Sequence, residues 1–146
     1  MSRAQELVPD KLHLTRPAPP GRRIALVALA VLVLVSVAGY ALTIVATYLE
    51  NGLTAVPLSE VASGAYDPAA LPFPPSDATG ALGFLFLLLM PVSSGLGGML
   101  VGLDLLVEGP PRPRADRLLS VGVLVLCAVV FVAFLATAQL SVWWMD

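Results

Sequence analysis

Residues 24–49 read IALVALAVLVLVSVAGYALTIVATYL, an unbroken apolar run without one charged side chain. At about 1.5 Å of rise per residue, a helix of this length exceeds the roughly 30 Å of hydrocarbon in a bilayer, so it crosses with some tilt. Arg22 and Arg23 stand just before it, which raises the competing reading of a secretory leader. Leader cores hold only about 7–15 apolar residues and end at a small-residue cleavage site. This run is far longer and ends in Thr47-Tyr-Leu-Glu-Asn-Gly. It reads as an anchor.

Two similar runs follow. The second extends from Ala81 to Val107, interrupted by Pro91 and, near its end, by Asp104; the third extends from Leu118 to Val142. Ser76 and Asp77 are good N-caps for the second helix and Asp116 for the third, because short polar side chains accept from the free amides of a first turn. A proline inside a helix removes one hydrogen bond and crowds the carbonyl a turn back, so Pro91 predicts a kink. Trp143 and Trp144 close the third run where interfacial aromatic belts sit. None of the runs alternates as barrel strands do. The expected fold is an all-α integral membrane protein with transmembrane helices over 22–49, 79–107 and 117–144.

The connecting segments fit that scheme. Residues 1–21 form a polar tail with Pro9, Pro17, Pro19 and Pro20, partly a polyproline spacer. Residues 50–78 carry five prolines (Pro57, Pro68, Pro72, Pro74 and Pro75) among apolar residues, and this loop is expected on the membrane surface or against a neighbouring subunit. Pro57 suits the first turn of a short helix there. Residues 108–116 make a tight basic turn, and 145–146 form the C-terminus.

Composition agrees. Of 146 residues, 58% are hydrophobic and 12% charged, against about 25% charged in soluble domains. A soluble fold of this size has too little interior to hide that much apolar surface. Cys127 is the single cysteine and His13 the single histidine. An intramolecular disulfide is thereby excluded, as is histidine ligation of a haem or pigment within a span. No CxxC, HExxH, GxxxxGK[ST] or GxSxG pattern occurs. The cations are too few and too close to the bilayer for a nucleic-acid surface. No catalytic residue, metal site or cofactor is expected. The Ala, Val, Leu, Gly, Pro and Arg bias suits a GC-rich bacterial genome.

Orientation follows from charge. Arg3, Lys11, Arg16, Arg22 and Arg23 lie in the tail, and Arg112, Arg114 and Arg117 in the second connection. The first loop and the C-terminus carry only acids: Glu50, Glu60, Asp67, Asp77 and Asp146. Basic residues are retained on the cytoplasmic side, so the expected topology is N-terminus in and C-terminus out, in a bacterial inner membrane.

The strongest local pattern is Ser94, Gly98 and Gly102, with Gly95 and Gly97 beside them. Small residues four apart let a second helix approach closely. Ordinary packing within the chain explains the pattern as well as contact with another subunit does. Smaller faces at Gly39, Thr43 and Thr47, and at Ala133, Thr137 and Ser141, are expected to pack together, their hydroxyls bonding across or back to their own helices. Asp104 is the one ionisable side chain inside a run. Such acids raise the idea of a proton relay or cation site, but here an interfacial ion pair with Arg112, Arg114 or Arg117 is expected. Tyr40 and Gln139 each offer one polar group to a quinone or lipid, which does not define a site. Cys127 reads as packing, and Arg22-Arg23 as topology-setting residues that touch anionic lipid.

In size and topology the chain resembles small subunits of respiratory or photosynthetic assemblies, though no residue motif carries the likeness. The expected role is a non-catalytic accessory subunit that stabilises or helps assemble a larger membrane complex, with larger membrane subunits and the lipid bilayer as partners. The alternative is a homo-oligomeric channel or transporter component lined by the glycine face and Asp104.

Overall fold

The computed structural model describes residues 20–107 and 113–145. Among them the chain is helical and holds no strand. Helix α1 (Pro20–Tyr40) runs without a break through a π turn (Ala41–Val45) into α2 (Ala46–Glu50). A single turn, α3 (Leu58–Glu60), lies in the loop that follows; then come α4 (Asp77–Leu106), α5 (Arg114–Ala136) and α6 (Ala138–Met145). Gly21–Glu50, Asp77–Leu106 and Arg114–Ala136 are long and apolar enough to cross a membrane, so the chain has the architecture of a multi-pass membrane protein. The tail through residue 19, residues 108–112 with Arg112, and Asp146 lie outside the described residues.

Each span buries one narrow stripe. On α5 it is Asp116, Ser120, Val123, Cys127 and Val130; on α4 it includes Gly83, Leu87, Met90, Ser94, Gly98 and Val101. Steps alternating between three and four keep a stripe on one side of a helix. Residues off the stripe, such as Val31, Leu34, Leu100, Val125 and Val129, are exposed. In water such a surface would aggregate; in a bilayer it is the lipid-facing side. The three spans pack pairwise, each against the other two.

Helix α4 starts where the chain offers a cap. The Ser76 hydroxyl accepts the Thr79 N–H at 3.2 Å, and Asp77 lies in the first turn, where the helix dipole favours an acid. The helix continues past Pro91 to Leu106. Around that proline, the Ser94 hydroxyl donates to the Met90 carbonyl at 2.6 Å and that of Ser93 at 3.3 Å.

Three local expectations are revised. Asp116 does not cap α5: Pro113 occupies that place, and Asp116 is one turn further on, buried. The third apolar run is two helices divided at Thr137, whose hydroxyl bonds the carbonyls of Ala133 and Phe134. A threonine that satisfies its own helix in this way competes with the regular ladder. The two tryptophans are not a lipid-facing belt. Both are buried: the Trp143 indole donates to the Tyr66 carbonyl at 2.5 Å, and Trp144 covers Gly83 of α4.

The loop after α2 folds over that end of the bundle. Asn51 closes it, donating to the Phe73 carbonyl and accepting the Phe73 N–H, both at 3.0 Å. Leu53 and Val61 are buried, and Tyr48 donates to the Leu53 carbonyl at 2.8 Å. Tyr48 and Trp143 meet edge to face, as do Trp143 and Trp144, an arrangement that suits the ring quadrupoles.

Candidate functional site

Three places collect the polar or shaped features of the bundle. The first is the end near Arg22. This arginine donates to the Asp104 carboxylate of α4 and, at 3.0 Å, to the Ser120 hydroxyl of α5. Its neighbour Arg23 donates through Nε to Asp116 Oδ1 at 2.5 Å. Two adjacent residues of α1 thus hold the end of α4 and the start of α5. Ser120 in turn donates to the Asp116 carbonyl. The second carboxylate oxygen of Asp116 is buried without a hydrogen-bond partner.

Asp104 meets a basic residue from the first span, 82 positions away, a partner that spacing along the chain does not suggest. Arg114 and Arg117 are exposed, and Arg112 lies outside the described residues. Sequence spacing pointed to the nearest cations along the chain. The available signal was that Arg22 and Asp104 both sit at run ends that must share one membrane face.

The second place is the seam of small residues. A Cβ on Gly98 would stand 3.1 Å from the Cβ of Cys127, so α4 and α5 approach closely there. Ser94 is buried in the same seam, and Gly102 has Leu124 at ordinary contact distance. About 100° round α4, Leu29 of α1 fills the space over Gly97. The small residues of α4 are thus occupied by both neighbouring spans. Gly39 is covered by the Phe86 ring of α4, not by α5. Thr43 and Thr47 bond the carbonyls of Gly39 and Thr43 on their own helix. Ala133 is exposed.

Beside the seam, α4 and α5 leave an open apolar groove of about 670 Å³, bordered by Pro91, Val92, Leu96, Met99, Leu124 and Phe131, with Gly95 and Gly98 in its floor. Its walls carry almost no polar atoms, so it suits hydrocarbon or an apolar helix face and offers nothing for catalysis on a polar substrate.

The third place is a buried hydroxyl cluster toward the capped end. The Tyr40 hydroxyl lies 3.3 Å from the Ser141 hydroxyl and 3.4 Å from the Thr137 carbonyl. Deeper in the bundle the Ser36 and Ser93 hydroxyls are 3.5 Å apart, and Ser36 also donates to the Leu32 carbonyl at 2.7 Å. In hydrocarbon an unmet polar group costs several kcal/mol (about 2–7), and these groups meet that demand within the bundle. Tyr40 is engaged with its own chain. Cys127 is buried and free. Among the described residues no three His, Cys, Asp or Glu side chains converge as a metal site would need.

No protein-family model, curated protein or solved structure matches this chain.

Proposed function

We propose that this chain is a non-catalytic accessory subunit that packs against a larger complex in a bacterial inner membrane, stabilising it or helping it assemble. The observation that carries the reading is the groove between α4 and α5. It is open and apolar, so it suits the apolar side chains of a partner helix. The hydroxyls of Ser36, Tyr40, Thr43, Thr47 and Ser94 bond within the bundle, which supports the same reading, since among the described residues they offer no free polar path across it. In this proposal the N-terminus is cytoplasmic and the C-terminus outside. The support is the confinement of all eight Lys and Arg residues to the tail and the second connection. A bend at Pro91, which has no amide for the Leu87 carbonyl, shapes the groove it borders.

The test is mild-detergent purification of the tagged protein, read by native mass and by identifying the chains that accompany it. A stoichiometric set of larger membrane subunits is expected. Leu96→Trp, at an exposed position on the groove, should release them while leaving the bundle folded. A homogeneous self-oligomer without other chains would overturn the proposal and favour the channel reading.

A further inference from the structure

The arginines at the Arg22 end fall into two classes. Arg22 and Arg23 are committed to Asp104 and Asp116. Arg114 and Arg117 are exposed, and among the described residues no carboxylate bonds to either. Both stand on one face of α5, three residues apart. Leu118 and Val121 continue that face toward the hydrocarbon, both exposed. The four residues line a shallow groove of about 250 Å³ whose remaining surface is apolar.

We propose that this face of α5 is a binding site for an anionic phospholipid, with the headgroup phosphate on Arg114 and Arg117 and an acyl chain along Leu118 and Val121. The depth is right. Arg114 and Val121 are separated by about 10 Å along the helix at about 1.5 Å per residue, the distance from headgroup to upper acyl chain. The chemistry is right as well. A guanidinium presents a fork of donors to phosphate oxygens, and the apolar half of the groove requires a ligand with a hydrocarbon tail, which free phosphate lacks. Charge complementarity selects the lipid class: two exposed cations on an otherwise apolar face discriminate against a zwitterionic headgroup, whose own cation they repel. The inference does not rest on the accessory role, since none of its four residues borders the α4–α5 groove.

The test uses the purified full chain, delipidated in neutral detergent, with phosphatidylglycerol or phosphatidylcholine added and bound lipid counted by native mass spectrometry. The wild type should prefer phosphatidylglycerol. R114Q/R117Q should lose about twenty-five-fold in affinity for it, from about a five-fold attraction per arginine near an anionic surface, with no change for phosphatidylcholine. Melting of the two proteins should coincide, because both arginines are exposed. If the double variant does not fold, R117Q alone should lose about five-fold. Equal binding of the two lipids by the wild type, or an undiminished preference in the variants, would overturn the proposal.

Discussion

Arg23 and Asp116 form a lopsided pair: the arginine side chain is 55% exposed, whereas the carboxylate is 2% exposed and has one oxygen without a partner. Their substitutions should therefore cost different amounts. Arg23→Gln leaves a buried carboxylate uncompensated, a loss of about 3–5 kcal/mol in comparable sites. Asp116→Asn leaves an arginine that swings into the headgroup region, and should cost less than about 1 kcal/mol. The double variant should recover most of what Arg23→Gln loses. Thermal melting in one detergent decides this; equal losses from the two single variants would refute the argument.

Asp104→Asn should be nearly silent, below about 1 kcal/mol. Its side chain is 40% exposed, and Arg22 keeps the Ser120 hydroxyl as a second acceptor. A loss of assembly or activity in this variant without loss of stability would give Asp104 a role beyond packing.

The α4 glycines should not respond alike. Gly98→Leu must push α4 from Cys127, with a loss of about 1–3 kcal/mol, as overpacking usually brings. Gly102→Ala meets only Leu124 at 3.8 Å and should be neutral or stabilising by up to about 1 kcal/mol, the helix-propensity difference. Melting of both variants is the check, and a reversed order would count against the seam.

Gly39 lies under the Phe86 ring, inside the space a Cβ would need. Gly39→Ala should lower the melting temperature, and adding Phe86→Ala should restore part of the loss. Failure of the second substitution to help would mean that the ring is not the obstacle.

The capping loop hangs on two side chains that protease sensitivity can address. Trp143→Phe removes the bond to the Tyr66 carbonyl, and Asn51→Ala removes both bonds to Phe73. Each should cost about 1 kcal/mol, and limited proteolysis within residues 52–75 should quicken while the spans stay intact. Unchanged cleavage rates would show the loop to be held elsewhere.

The three spans were legible because hydrocarbon imposes its length on the chain, so uninterrupted runs such as 24–49 can be read with no knowledge of neighbours. The site was less so. Whether Gly98 faces Cys127 or another protein depends on helix rotation, which a small-residue motif does not contain. The partner of Asp104 depends on which helix ends share a membrane face. The burial of Trp143 depends on a loop folding back over it, and the composition of residues 50–78 suggests a surface segment equally well.

The π turn at Ala41–Val45 has a consequence for how this chain tolerates change in length. A π turn closes on the fifth residue instead of the fourth, so it stores one residue more than an α turn. Above it Ser36 and Tyr40 face the bundle; below it Tyr48 reaches the loop. Leu42 points away from the bundle, 75% exposed. Deleting Leu42 would let the turn relax to α geometry while both flanking segments keep their rotation. A deletion one turn earlier, at Val35, would instead rotate everything beyond it by about 100°. The first span thus contains a single place where its length can change by one residue without re-addressing the side chains on either side.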